Sequence, residues 1–163
     1  MFREMRRKNQ LLEEAENLEI LNVNTSGVLA VCGDDDYPYA VPLSYVYHDG
    51  KIYFHMAKNG HKTDSIRRNN KVSFCVIDQD KIVQEEITTY FRSVIAFGKA
   101  RFIEEAEGKK QILEYLVQKY SPDFPEEGQK AINRSLEKVC ILEMTIEHLS
   151  GKAAIEIMNG HED

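Results

Sequence analysis

Two apolar runs, 39–47 and 51–57, are joined by His48-Asp49-Gly50. An Asp-Gly pair supplies the left-handed backbone that a two-residue reversal needs, so the runs read as an antiparallel hairpin. Parallel strands would need a long crossover there, and the spacing leaves no room for one. The rest of the chain follows the same plan. Residues 27–32 are apolar throughout, like a buried strand, and Gly33 to Asp36 read as a turn. Further strands are expected over 72–77, over the long run 88–103 and over 139–146, the last ending at Glu147-His148. Gly98 inside the long run marks a bulge or bend. An acidic loop is expected over 78–86.

Helices punctuate the strands. The first begins near Leu12, with Glu13, Glu14 and Glu16 where the helix dipole favours acids. A short polar helix is expected over 59–68. Two more follow over 105–120 and 125–138, separated by Ser121-Pro122-Asp123-Phe124-Pro125. Ile112, Leu113, Leu116 and Val117 give the first of these an apolar face, while the second is mostly polar and belongs on the surface. Strands joined by hairpins, with few crossover units, give a mainly β fold, an antiparallel barrel with peripheral helices.

The 163 residues suit one domain, and 42 % hydrophobic residues suffice for a core. The net charge of −6 carries no nucleic-acid footprint. No window approaches a membrane span. The basic N-terminus, Met1 to Lys8, lacks the apolar stretch of a secretory signal. Cys32, Cys75 and Cys140 each lie in an apolar run, fit no zinc spacing, and read as reduced, buried thiols of a cytoplasmic protein.

Chemistry concentrates where the strand 51–57 empties into the polar helix. A helix start offers open N–H groups, Gly60 permits close approach, and Lys62 adds a full charge. A phosphate site and a solvated basic helix are both open on these residues. His55 and His61 lie six apart without a carboxylate cluster, so a metal site is not expected. His48 and His161 read as solvated. Pro42 within a strand demands an edge or a bulge. Arg92 in a long apolar strand needs a partner, either a carboxylate or a ligand.

With these residues in view, the chain resembles the nitroimidazole-resistance branch of the pyridoxamine-phosphate-oxidase-like flavoproteins. Tyr39-Ala40-Val41-Pro42-Leu43-Ser44-Tyr45, Lys51-Ile52-Tyr53-Phe54-His55, Gly60-His61-Lys62, Tyr90-Phe91-Arg92-Ser93-Val94 and Leu149-Ser150-Gly151-Lys152 carry the likeness together. It implies an FMN-binding split β-barrel, Greek-key-type and antiparallel, over the whole chain, and a homodimer with FMN between subunits. It further implies that His61-Lys62 take the place of an Arg-Lys phosphate pair, and that Val41, Pro42, Leu43 and Ser44 line the flavin ring. His55, Met56 and Ala57 form the strand end beside it. Arg92, Ser93 and Val94 match an Arg-Gln-Val that reaches the ring edge, and His55 matches the branch's redox-active histidine. The oxidases' terminal tryptophan-containing segment has no counterpart here, so vitamin B6 oxidation is not expected. The implied activity is electron transfer to a small, flat, electron-poor molecule. The alternative is a flavin- or haem-binding protein without turnover.

His55 can be placed by alternation alone. With Phe54 in the core, Tyr53 and His55 face outward. Such a histidine either donates a proton during reduction or only hydrogen-bonds a neighbour.

Overall fold

The computed structural model describes residues Phe2 to Gly160; Met1 and His161, read above from sequence, lie outside the described residues. Among the described residues, seven strands form one antiparallel sheet: β1 (Ser26–Cys32), β2 (Pro38–Ser44), β3 (Val46–His48), β4 (Lys51–Ala57), β5 (Lys71–Val83), β6 (Thr88–Ile103) and β7 (Val139–Ala153). Five α-helices accompany them there: α1 (Glu14–Val23), α2 (His61–Arg68), α3 (Ala106–Tyr120), α4 (Pro125–Ser135) and the short α5 (Ile155–Met158).

The strand order is β2-β1-β5-β6-β7-β4-β3. The two edge strands, β2 and β3, are therefore at opposite ends of the ladder, yet only Tyr45 separates them in the chain. A sheet can meet both conditions only by rolling up until its edges come together. The ladder does not close, so the barrel implied by the family likeness is a rolled sheet with one open seam. Tyr120, the last residue of α3, spans it. Its hydroxyl accepts the Tyr45 N–H at 2.9 Å and lies within donating reach of the carbonyls of Tyr45 and Thr25. A side chain thus supplies the hydrogen bonds that a neighbouring strand would give.

Inside the roll, Leu29, Phe54, Phe74, Val76, Val94, Leu142 and Met144 pack with Ile20 and Leu21 of α1. A second apolar cluster lies on the outer face, where Val46, Tyr53, Ile103 and Ile141 meet Ile112, Leu113 and Leu116 of α3 and Ile132 of α4. Glu143 is buried on that face. Burial pulls its carboxyl upward, but the hydrogen bonds from Arg101 (2.6 and 3.0 Å) and the Lys51 ammonium at 3.2 Å outweigh it and leave the group below the usual range.

Several expectations change. The region expected as an acidic loop continues β5 through Val83, bulged between Ile77 and Gln79. Pairing with β6 satisfies its backbone, which composition could not reveal. β7 likewise runs to Ala153 rather than ending near Ile146, because β6 offers it a partner down to Arg92. β1 is not buried throughout: it alternates, with Val28 exposed. The cysteines are free but only half-buried, and burial pushes the Cys75 and Cys140 thiols up. The hairpin is as expected, with positive φ at Asp49 and Gly50.

Lys119 has an unusual setting. Its Nζ is buried without an acceptor among the described residues and sits 4.2 Å from the centroid of the Tyr45 ring. Burial pulls this ammonium down to about 8. The folded value lies below the unfolded one, so the unfolded chain binds more protons above about pH 8 and stability rises with pH there. Lys119→Met is expected to raise stability at pH 7 by on the order of 1 kcal/mol, because solvent screening and the ring contact offset much of the burial cost. It should also flatten the gain between pH 7 and pH 9, read as urea midpoints. Equal gains in both proteins would assign that rise to other groups.

Candidate functional site

The open seam positions the candidate site. β2 is an edge strand, as Pro42 demanded, and Pro42 pairs with Val28 without having an N–H to offer. Along it the pleat alternates: Val41 and Leu43 turn inward and are half-buried, while Pro42 and Ser44 are exposed. In β4, Phe54 is fully buried and His55 is exposed, as alternation required. Ser44 and His55 then line one groove of about 340 Å³, walled by Leu113, Leu116 and Val117 of α3 and by Ile132 of α4. Among the described residues no group is bonded to the His55 ring.

β4 ends at Ala57, and α2 begins four residues later. Gly60 caps the helix at φ 129°, a conformation that favours glycine, with open space around its Cα. The first helical bond runs from the Asp64 N–H to the Gly60 carbonyl. The amides of His61, Lys62 and Thr63 therefore have no acceptor among the described residues, the usual condition of a helix start. Lys62 is half-buried with no carboxylate partner among those residues, and burial pushes its ammonium below the usual lysine value. A cation held this way lacks a counter-charge. His61 is differently engaged. Its ring stacks on Tyr39 at 4.3 Å, and Nε2 accepts the Asp34 N–H at 3.3 Å. Asp34 in turn binds Arg68 at 2.7 Å, and that hydrogen bond holds its carboxyl below the usual range.

The remaining site residues expected from sequence are dispersed. Met56 and Val94 point into the core, so only their backbones can meet a ligand. Ala57 is exposed at the strand end. Arg92 has found carboxylates: Asp78 at 3.1 Å and Glu19 at 2.8 Å, tying α1 to β5 and β6. Burial works against its charge, but these partners outweigh it and push the guanidinium up. Ser93 lies beside it, paired with Ile77 and Lys152. Sequence reasoning missed Tyr120 and the part of α4 that walls the groove; the Leu113, Leu116 and Val117 spacing was the one visible signal.

A flat apolar surface adjoins the seam. Pro42, Val28, Cys75 and Ile95 form one cross-strand row, and Ala40, Ala30, Ser73, Phe97 and His148 the next. Val28, Ile95 and Phe97 are exposed there, and Phe2 stacks on His148. Among the described residues no helix is long and apolar enough to cross a membrane, and no cluster of His, Cys, Asp and Glu could hold a metal.

The donor set fits a flavin mononucleotide. Open amides and an unpaired ammonium suit a phosphate, and the flat edge at Pro42 and Ser44 suits a ring.

Known proteins bear on this geometry. No curated protein matches the chain. Among solved structures, a conserved hypothetical protein from Mycobacterium tuberculosis superposes with a TM-score of 0.82 at 22 % identity, covering 98 % of this chain and 95 % of that one. A candidate 5-nitroimidazole antibiotic resistance protein from Bacteroides thetaiotaomicron gives 0.73 at 22 % identity, over 88 % and 86 %. An FAD-binding protein from Mesorhizobium loti gives 0.66 at 28 % identity, over 89 % and 97 %. The family model described as pyridoxamine 5'-phosphate oxidase matches residues 13–153, a span that takes in every strand of the sheet from β1 to β7. With its rolled antiparallel sheet and that match across most of its length, this chain belongs to the pyridoxamine 5'-phosphate oxidase family.

Proposed function

We propose that the protein is an FMN-dependent oxidoreductase that reduces a small, flat, electron-poor molecule such as a nitroimidazole, and that it works as a homodimer. The half-buried Lys62 at the open start of α2 is the observation that carries this reading, because it has no carboxylate partner among the described residues and a phosphate would supply the missing counter-charge. The likeness to an FAD-binding protein supports a flavin. The bound flavin would supply the redox chemistry. Lys62 and the α2 amides would hold the phosphate, Val41 to Ser44 would lie along the ring, and the apolar walls of α3 and α4 would keep water from it. His55, open to the same groove, is placed to give a proton to a substrate there.

The apolar rows around Val28, Ile95 and Phe97 support the dimer, since a second copy meeting them about a two-fold axis would cover them. The purified protein should show flavin absorption and sediment as a dimer. His55→Ala should retain the fold and most FMN affinity while lowering the rate of reduction of a nitroimidazole by about 10²-fold, the usual worth of a positioned proton donor. Full turnover in that variant, at saturating FMN, would leave the flavin as the sole reactive group.

One observation favours a second reading. An exposed imidazole without a partner is also what a haem iron takes as an axial ligand. A Soret band in place of flavin bands would establish it.

A further inference from the structure

β4 and β6 end, and β7 begins, at one end of the sheet, where Ala57 pairs with Val139 and Ile103 with Ile141. A pocket of about 320 Å³ opens there and shares only Val139 with the lining of the seam groove. Three cations line it: Lys58 from the turn between β4 and α2, Arg67 of α2 and Lys109 of α3. Glu104 is the one carboxylate among its described lining residues, so two positive charges stand in excess in a chain whose net charge is −6. The pocket is also a different place from the start of α2. Neither His61 nor Lys62 lines it, and while His61 leans on Tyr39 of β2, Arg67 leans on Phe102 of β6.

The fold itself does not account for these charges. Lys58 and Lys109 have no carboxylate partner among the described residues. Arg67 has only Asp64 of its own helix, at 3.5 Å and with both side chains more than half exposed, a pair that contributes little. Its guanidinium lies over the Phe102 ring, 5.4 Å from the centroid, a contact that consumes none of its N–H donors. Lys109 is half-buried and closes the first turn of α3, where the helix dipole disfavours a cation. Cys140 lies in the same wall but does not neutralise the cluster. Burial pushes its thiol up, against the pull of Arg67, Lys109 and Lys58, so it is uncharged at neutral pH. Like charges gathered around one concavity repel, and an anion there would remove that cost.

We propose that this pocket is a second anion site, which binds a small organic phosphate between Arg67, Lys109 and Lys58, independently of the flavin. A phosphate monoester carries about −1.5 to −2 charges at pH 7, which matches the two in excess. Arg67 offers a fork to two phosphate oxygens, and the lysines add point charges. Phe102, Ile103 and Val139 give the organic part of the ligand an apolar wall.

Cys140 provides a local readout in the full chain. N-ethylmaleimide labelling of the three native thiols is followed by peptide mass spectrometry, with phenyl phosphate as the probe at constant ionic strength. Phenyl phosphate should slow labelling of Cys140 several-fold and leave Cys32 and Cys75 unchanged, and phenol should protect none of them. The concentration for half-protection should rise by about 10-fold in Arg67→Gln and in Lys109→Gln, the lower end of what a hydrogen bond to a charged group contributes, and stay put in Lys62→Ala. Absence of protection at Cys140, or protection that survives in the Arg67→Gln, Lys109→Gln double variant, would overturn the site. Protection lost in Lys62→Ala alone would overturn it too, by placing the phosphate at the start of α2. Calorimetric titration of phenyl phosphate in the Lys62→Ala background, with and without the double substitution, reads the same difference without the thiol; equal heats would overturn the proposal. None of these measurements uses flavin, so a protein that lacks flavin bands and still shows the protection would end the flavin reading and keep this site.

Discussion

Lys62→Ala is expected to weaken FMN binding by about 10- to 100-fold, while Lys71→Ala, an exposed control, should leave it unchanged. A hydrogen bond to a charged group contributes about 1.5–3 kcal/mol, which is that range of affinity. The loss should be near its upper part because Lys62 is half-buried and has no competing carboxylate among the described residues. pH provides an independent check. Burial holds the free ammonium below its usual range, and a bound phosphate dianion would raise it again. Binding should then take up protons at alkaline pH, and affinity should fall as pH rises, more steeply in the wild type than in Lys62→Ala. Fluorescence titrations of FMN at pH 7 and pH 9 read both effects. Identical dissociation constants for the two proteins would put the phosphate elsewhere.

Gly98→Ala should be the most damaging single methyl in the sheet. At this position the β6–β7 register slips: Phe97 pairs with His148 and Gly98 with Ile146, leaving Glu147 as the extra residue. A Cβ on Gly98 would stand 2.1 Å from the Thr145 carbonyl oxygen. The obstacle is backbone in the middle of a ladder, so it cannot rotate aside as a side chain would. Overpacking of this kind costs about 1–3 kcal/mol, and a chain this long loses roughly 2–4 °C of Tm for each. A calorimetric Tm within a degree of wild type would mean that the bulge relaxes freely. Gly50→Ala is a useful contrast: nothing lies within 4 Å of its Cβ position, and its cost would come only from φ 74° in the hairpin turn.

The bulge at Gly98 was legible because a glycine weakens a strand interior and is kept where the backbone bends or a second backbone comes close. The same holds for Pro42 on the edge strand, for the Asp49-Gly50 reversal and for the placing of Phe54 inward and His55 outward. Each follows from one residue's backbone chemistry or from the two-residue pleat. The 88–103 strand was read to its ends, since its apolar alternation and its strand length coincide. Where the backbone is satisfied by a distant partner, local reading failed. Asp78 and Asp80 look like loop residues, yet β6 pairs with the chain on from Gln79 to Val83, and Asp78 is the bulge residue in that ladder. Glu147 and His148 looked like a strand end, yet β7 continues to Ala153 on the same support.

The site divides in the same way. Lys62, Gly60 and His55 announced themselves by residue type at a strand-to-helix junction. Arg92 announced a need for a partner but not its identity, because Asp78 is 14 residues away and Glu19 is 73. His61 could be read as a phosphate ligand from its place in the motif, but only the packing of α2 beside the β1–β2 turn sets it on Tyr39 and Asp34.

Local chemistry along the chain was enough to specify an antiparallel, mainly β protein, its strand edges and bulge, and the residues around the helix start. Each of these is a matter of allowed φ, missing N–H groups or side-chain alternation within a few residues. The rolling of the sheet without closure is of another kind. It depends on bringing β2 and β3 together across one residue, and on Tyr120 reaching back 75 residues to bond the Tyr45 N–H. The groove holding His55 and Ser44 exists because of that seam, and a seam is a relation between distant segments that no local pattern encodes.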